Sequence, residues 1–448
     1  MTTSSAPMGR FVQGSLMRHV AVMSLAGSVG LAALFVVDLL NLLFIAMLGR
    51  PDLLAAVGYA GTVMFINSSF GIGMSIAASA LVGRALGARD PALARRKGTT
   101  ALILGVTGSA AFTAIVWASL APILTFLGAQ DAVHAEALSF LQIVVPSAPL
   151  VALAMMGGGI MRAHGAARRS ILPTLTGAIA HGIFDPILIF WAGLDLTGAA
   201  MATVLSRVAM ASMSIMMVRA TMRGFHPPRL SELAADLRPM TGIALPAIIT
   251  QMSTPIAMAI VTRLMATHGE AAMAGLAITA RMTPVAFVVI LSLNSSIGPI
   301  ISQNLGAQLP ERVRGTIRAG LVFSGIVTLV VSAILYLLRD PIADAFGATG
   351  ITRELVLLFC GPISLLWYAN AVIFVATAAF NNLDAPFTST WTNWLRSTIG
   401  TWLPVWLLAE LLGAPGVLWG QALSSVIFAI LSWWLARRLL SRPLPQGH

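Results

Sequence analysis

The chain carries twelve long apolar stretches, and this pattern restricts the folds that are open to it. Each stretch is roughly 20 to 30 residues long, enough for a helix to cross the hydrocarbon core of a bilayer. Only 10% of the 448 residues are charged and 57% are hydrophobic, whereas a water-soluble domain has about 25% charged residues. Backbone groups inside a bilayer must bond within their own segment, so the spans should be helices. The sequence predicts an all-α integral membrane protein with twelve spans near residues 20–48, 53–83, 98–120, 135–161, 170–192, 197–218, 239–267, 271–303, 316–338, 353–381, 387–411 and 416–436.

The links between the spans alternate in charge. Arginines concentrate in the links after spans 2, 4, 6 and 8 and at the C-terminus. The odd links hold Asp131, Asp195, Glu270 and Glu410 with few cations. Positively charged loops stay on the cytoplasmic side, so we expect a multi-pass protein of a bacterial inner membrane with both termini in the cytoplasm. The net charge of +11 thus reflects membrane topology, and we expect no nucleic-acid partner.

Two motifs occur twice with one common offset. LGARDPALAR at 86–95 matches LGAQLPERVR at 305–314, and APILTFLGA at 121–129 matches DPIADAFGA at 340–348. The same offset takes Gly87 to Gly306 and Gly128 to Gly347, which indicates a duplication. Each copy holds six spans, an even number, so both halves should enter the membrane in the same direction, related by a pseudo-two-fold axis along the membrane normal. We predict a cytoplasmic segment at 1–19, a first lobe at 20–221, a cytoplasmic linker at 222–238, a second lobe at 239–438 and a cytoplasmic tail at 439–448.

Two of the 16 acidic residues lie well inside apolar spans, Asp38 in span 1 and Asp185 in span 5. A carboxylate at mid-membrane costs on the order of 2.5–3.5 kcal/mol on insertion scales and usually marks a functional site. His181 lies one helical turn before Asp185 on the same face. Thr203 of span 6 reaches a similar depth, since a helix rises about 1.5 Å per residue. We predict an ion-coupling site formed by these four residues, although hydrogen bonding between neighbouring helices is the structural alternative.

Other polar residues inside the spans are candidates for lining a substrate path. The positions equivalent to Asp38 and Asp185 in the second repeat hold Ala257 and Pro404, so ion coupling should reside in the first half. Arg207, four residues after Thr203, neutralises Asp185, extends to the membrane surface or lines the cavity. The cavity candidates are Asn41, Asn67, Arg207, Gln251, Arg281, Asn294, Tyr368 and Asn370.

The sequence lacks the motifs of a membrane enzyme. It has no Asp-rich prenyltransferase pair, no H-E-x-x-H and no P-loop, and Lys97 is its only lysine. We therefore expect no enzymatic activity and no cofactor. The partners should be small-molecule substrates and membrane lipid, and the protein should be a monomer.

Several segments together resemble the MATE family (multidrug and toxic compound extrusion), nearest its DinF-like branch. They are FVVDLLNLLFIAMLG, ALVGRALGARDPALAR, FDPILIF, GAAMATVLSR and ARMTPVAFVVILSLNSSIGPIISQNLGA. The resemblance implies a twelve-helix, two-lobe antiporter that exports organic cations or other amphipathic compounds in exchange for Na⁺ or H⁺. It also implies that the first-lobe cation site maps to Asp38, His181, Asp185 and Thr203.

One departure from the family pattern bears on the coupling ion. The resemblance implies an Asn four residues before the Asp of span 5, where this chain has His181. An imidazole is a poor ligand for a hard cation such as Na⁺ but binds protons in the physiological range. H⁺ is therefore the expected coupling ion, and Na⁺ at Asp38, Asp185 and Thr203 is the alternative. No other metal is expected.

Two other transporter classes share parts of this pattern. The major facilitator superfamily also has six-plus-six spans, but its signature between spans 2 and 3 differs from GRALGARDPALARR. A lipid-linked or other anionic-substrate flippase of the wider MATE-like superfamily should have a cationic cavity, and Arg207, Arg263 and Arg281 keep this alternative open.

Overall fold

The protein is helical throughout the part that its computed structural model describes, residues 9–48 and 50–442, where no strand occurs. The predicted N-terminal segment and C-terminal tail therefore lie partly outside the described residues. The α-helices are α1 (Leu16–Met47), α2 (Pro51–Gly87), α3 (Pro91–Ala118), α4 (Leu120–Phe126), α5 (Asp131–Val144), α6 (Ala148–Ala163), α7 (Ala167–Pro186), α8 (Asp195–Met222), α9 (Leu230–Ala266), α10 (Glu270–Ala286), α11 (Val288–Gly306), α12 (Pro310–Leu337), α13 (Arg339–Ala345), α14 (Gly350–Leu358), α15 (Ser364–Leu366), α16 (Tyr368–Asn382), α17 (Pro386–Leu395), α18 (Thr401–Leu412) and α19 (Ala414–Leu440).

The internal repeat appears in the positions at which helices begin. Helices α2, α3, α4, α5, α7 and α8 each have a counterpart that begins at the repeat offset of Gly87 and Gly306, namely α10, α12, α13, α14, α17 and α19. Pro91 and Pro310 both occupy the first turn of their helices, where proline's missing N–H costs nothing. The Asp90 carboxylate also accepts from the backbone N–H of Leu93 at 2.8 Å, which caps α3. The duplication read from the motifs thus extends through both halves.

The helices match the predicted spans, and several spans contain local breaks. Ten helices among the described residues are long and apolar enough to cross a membrane, and a pair bent by 41°, Gly350–Leu366 and Tyr368–Asn382, makes eleven. Span 11 corresponds to α17 and α18, joined by a π-helical turn at Arg396–Gly400. The prediction of one continuous span at 271–303 was wrong, because the helix breaks at Phe287 three residues after Pro284, and proline removes a backbone donor. The all-α membrane fold is confirmed.

The chain folds into two compact units. The first unit comprises Val29–Ile248 with Arg10, and the second comprises Phe11–Ser28 with the described residues from Ile249 onward. The first part of α1 therefore belongs to the second unit, and the division between units falls inside α9 rather than in the linker 222–238. Within the first unit, Leu141, Met156 and Ile160 are completely buried. In the second unit, Phe287 stacks on Trp367 with ring centroids 4.4 Å apart.

Candidate functional site

Three helices of the first unit bring polar side chains to the Asp185 carboxylate, which is 1% exposed. Nδ1 of His181, on the same helix α7, lies 2.7 Å from Asp185 Oδ2. Asn41 of α1 donates its amide N–H to the same oxygen at 3.1 Å. Oγ1 of Thr203, on α8, lies 3.3 Å from Nε2 of His181. The structure thus brings together three of the four residues predicted for ion coupling, and Asn41, predicted as a cavity residue, joins them.

The hydroxyl of Thr203 allows this network two hydrogen-bond arrangements. It lies 2.9 Å from the carbonyl oxygen of Ala199 as well as near His181, and a hydroxyl has one proton to donate. When His181 is neutral with its proton on Nδ1, Thr203 donates to Nε2. When both ring nitrogens carry protons, Nε2 donates to Thr203, which then donates to Ala199. One added proton and one hydroxyl rotation interconvert the two arrangements.

The second carboxylate oxygen of Asp185 is the open acceptor of the network. Oδ1 is buried and has no hydrogen-bond partner within the part of the chain that the structure describes. Leaving such a group unsatisfied costs about 1–3 kcal/mol. Buried, unsatisfied polar atoms in a native structure call for an explanation, and here a proton or a cation is the ligand that a carboxylate oxygen attracts.

The backbone departs from regular α-helix directly after Asp185. Pro186 ends α7 and a π-helical turn follows at Ile187–Trp191. Because proline has no N–H, the carbonyl of Gly182 lacks its usual helical donor. The π turn closes with the N–H of Ala192 bonded to the carbonyl of Ile187 at 2.8 Å. Single π turns inside helices are frequent at functional sites, and the sequence Asp-Pro produces this one next to the carboxylate.

Asp38 stands apart from the hydrogen-bonded network. It lies one helical turn before Asn41 on α1, its side chain is exposed, and its carboxylate interacts electrostatically with His181. Among the described residues it makes no hydrogen bond to His181, Asp185 or Thr203. The site therefore consists of the buried network around Asp185 and a second carboxylate, Asp38, which lies on α1 and is exposed.

Arg207 does not neutralise Asp185. Its Nη1 donates to the carbonyl of Val144 at 3.0 Å and to Oγ of Ser147 at 2.9 Å. It lines a small cavity of the first unit together with Asn67 and Met64. Asn67 accepts from the hydroxyl of Thr113 at 3.3 Å. The structure therefore places Arg207 at the wall of a small cavity, while its role in substrate binding stays a prediction.

The second unit holds a separate polar cluster. Asn370 of α16 accepts at Oδ1 from Arg396 Nη1 at 3.1 Å and from Ser425 Oγ at 3.4 Å. Tyr368 donates its hydroxyl to the carbonyl of Leu321 at 3.3 Å. Of these two predicted cavity residues, Asn370 belongs to a cluster of side chains, whereas Tyr368 anchors α16 to α12.

The model of the MatE family matches this chain over residues 21–187 and 246–403, nearly three quarters of its length. The chain belongs to the MatE family. The family comprises transporters, so the protein is a multi-pass membrane transporter of small molecules and not an enzyme. The DinF-like branch stays a prediction.

This MatE chain aligns over almost its whole length with several similar proteins. It is 26% identical over 446 residues to the FAD transporter of Shewanella oneidensis, covering 97% of this chain and 96% of that one. It is 22% identical over 429 residues to the multidrug export protein MepA of Staphylococcus aureus, covering 94% and 93%. Among solved structures, a Vibrio cholerae MATE transporter superposes with a TM-score of 0.89 at 23% identity, covering 95% and 97%. A Pyrococcus furiosus transporter of the MOP superfamily superposes at 0.88 and 20% identity, covering 98% and 99%.

The remaining cavity candidates of this MatE protein join neither cluster in the described structure. Gln251 on α9 and Asn294 on α11 are half-buried, and Arg281 on α10 is exposed. Arg396 was not among the predicted site residues, although it lies as deep in its span as the acids that drew attention in theirs. Arg396 is ten residues from the beginning of α17, and a depth estimate would have singled it out. Among the described residues, no group of three His, Cys, Asp or Glu side chains suits a metal ion.

Proposed function

We propose that this MatE transporter exports its cargo in exchange for protons. The observation that carries the proposal is the buried Asp185–His181 pair, whose nitrogen-to-oxygen distance is 2.7 Å. Imidazole is the side chain whose charge normally changes between pH 5 and 8. A carboxylate and an imidazole in direct contact titrate as one coupled pair. The pair can therefore hold an added proton between two helices of the first unit.

The arrangement of donors supports H⁺ over Na⁺ as the coupling ion. Asp185 Oδ2 faces the N–H of His181 and the amide N–H of Asn41, and donors repel a metal cation. A hard cation prefers several oxygen ligands, whereas the described network offers Oδ1 of Asp185 and the hydroxyl of Thr203. A proton needs only one acceptor, so the network suits it better.

Alternating access follows from a difference in proton affinity between two conformations. A ligand shifts a conformational equilibrium only if it binds one state more tightly. Protonation of the Asp185–His181 pair changes the charge that faces Asp38. Protons loaded from outside would favour the conformation that releases cargo, and proton loss toward the cytoplasm would restore cargo binding.

The test is transport in proteoliposomes under an imposed gradient. We expect a proton gradient directed into the proteoliposomes to drive ethidium movement. An imposed Na⁺ gradient at equal pH should have no effect. Substrate-induced proton release from the purified protein is a second readout. Na⁺-driven transport that ignores the pH difference would contradict proton coupling.

The substitution Asp185→Asn removes the buried acid while keeping its shape. We expect pH-driven transport to fall at least about tenfold, in line with the cost of losing one partner of a strong charge-assisted hydrogen bond. Asp195→Asn, at the exposed beginning of α8, is the matched control and should retain the wild-type rate. Full pH-driven transport by Asp185→Asn, or by Asp38→Asn, would show that the corresponding residue is not part of the coupling site.

The proposed cargo is an organic cation or another amphipathic compound, as the name of the multidrug export relative MepA suggests. Export of an organic anion is the second candidate, favoured by the FAD transporter relative and by the arginines at Arg207 and Arg396 inside the membrane spans. Uptake of ethidium and of FAD into inverted membrane vesicles, with and without the protein, separates the two.

A further inference from the structure

Arg396 is a guanidinium far from either end of its membrane span. It lies ten residues after Pro386 and 16 residues before Leu412, about 15 Å and 24 Å along a helix at 1.5 Å per residue. An arginine side chain near a helix end can extend to the headgroups, but neither end is close here. A charge at this depth needs a partner within the protein or in a ligand.

The structure gives Arg396 one neutral side-chain partner. Its Nη1 donates to Asn370 Oδ1, and none of the ion pairs among the described residues includes it. Its Nε is buried without an acceptor in the described part of the chain. The edge of the guanidinium that contains Nε therefore has unsatisfied donor capacity, in a fork that matches two oxygen atoms of a phosphate.

The surrounding residues hold this guanidinium in place. Asn370 Oδ1 accepts from Ser425 as well as from Arg396, so α16 and α19 together fix one side of the fork. The π turn begins at Arg396 itself, and Thr401 donates its hydroxyl to the Arg396 carbonyl at 2.7 Å. The next residue, Ser397, bonds Ser253 on α9 at 3.3 Å. Asn370 thus contacts the guanidinium directly, and the bonds of Thr401 and Ser397 fix the backbone that carries Arg396.

We propose that Arg396, positioned by Asn370 and Ser425, binds a phosphate or diphosphate group of the cargo within the second unit. This inference rests on the proposed export function with its second cargo candidate, the organic anion, and names a chemical class for that anion. The first unit then holds the proton site around Asp185, while the corresponding span of the second unit holds a cation for an anionic cargo group. The cargo class is an organic phosphate.

The experiment is equilibrium binding of inorganic pyrophosphate and of FAD to the purified full chain in detergent. We expect Arg396→Gln to weaken binding of both at least tenfold. Asn370→Asp should also weaken binding of both ligands at least tenfold, because the new carboxylate would pair with the guanidinium of Arg396 in place of the ligand. Arg318→Gln removes an exposed arginine of the same unit and should leave binding unchanged. Arg396→Lys, which keeps the charge without the fork, should give an intermediate affinity.

Several results would overturn the proposal. One is that wild-type protein binds neither pyrophosphate nor FAD. Another is that Arg396→Gln and Asn370→Asp weaken binding of cationic ethidium as much as that of the anions, which is the outcome of a purely structural role. A third is that Arg396→Gln affects only binding of labelled phosphatidylglycerol in nanodiscs, which would assign the site to lipid headgroups. If Arg396→Gln fails to fold, Asn370→Asp and Arg396→Lys decide the question.

Failure of this inference is separable from failure of proton coupling. Ethidium transport driven by a pH difference, measured on the same variants, reports the coupling site alone. If that transport is absent in wild-type protein, coupling is wrong, while the binding of pyrophosphate still tests Arg396.

Discussion

At the scale of single residues, the chemistry of the first unit depends on one position. His181 contacts both Asp185 and Thr203, so it links a carboxylate on its own helix to a hydroxyl on another. An asparagine there would still donate one hydrogen bond, but it would not carry a proton. The choice of imidazole over amide thus decides whether this position can accept a proton.

His181→Asn should separate coupling from folding. We expect the variant to lose most of the dependence of transport on the pH difference, because an amide does not change its charge between pH 5 and 8. The carbonyl oxygen of the new amide should also make Na⁺ stimulation measurable. His164→Asn, a part-buried histidine that bonds the carbonyl of Ile160 in the same unit, is the control. An unchanged pH dependence in His181→Asn would place the coupling proton elsewhere.

At the scale of elements, the beginning of α9 is attached to α3 by a buried carboxylate. The Asp236 side chain is 2% exposed and accepts from Lys97 at 2.5 Å and from Arg96 at 3.0 Å. Thr100 donates to its other oxygen at 2.8 Å. The only lysine of the chain therefore helps to hold the beginning of α9 against α3.

Asp236→Asn should lower the stability of the first unit. Removing one partner of a buried pair costs up to 3–5 kcal/mol, and because Lys97 and Arg96 are partly exposed here we expect about 1–3 kcal/mol. The measurement is the thermal unfolding midpoint of the purified protein in detergent. Glu311→Gln removes the acid from an exposed pair with Arg314 and should leave the midpoint unchanged. Equal midpoints for the two variants would show that Asp236 does not anchor α9.

At the scale of the whole molecule, the two halves should have the same orientation in the membrane. The repeat offset pairs Gln130, before α5, with Thr349, before α14, and both are exposed. Six spans separate each such pair of positions, so both should face the outside. The linker residue Ser231 should face the cytoplasm.

Labelling of introduced cysteines tests this orientation. With the buried Cys360 replaced by alanine, we expect Gln130→Cys and Thr349→Cys to react with an impermeant maleimide in intact cells. Ser231→Cys should react only after permeabilisation. Labelling of Gln130→Cys and Thr349→Cys from opposite sides would contradict a parallel repeat and the cytoplasmic position of both termini.

The sequence by itself determined the membrane class, the helical spans and the repeat, because apolar length and a fixed offset are properties of the chain read in order. It also singled out His181, Asp185 and Thr203, since a carboxylate inside an apolar run is conspicuous without any structure. Only the tertiary structure decided the partners. Asn41 reaches Asp185 from a distant helix, and Arg207 turns to Ser147 instead of Asp185. Arg396 meets Asn370 because hydrogen bonds between helices depend on packing and side-chain direction, which spacing along one helix does not reveal.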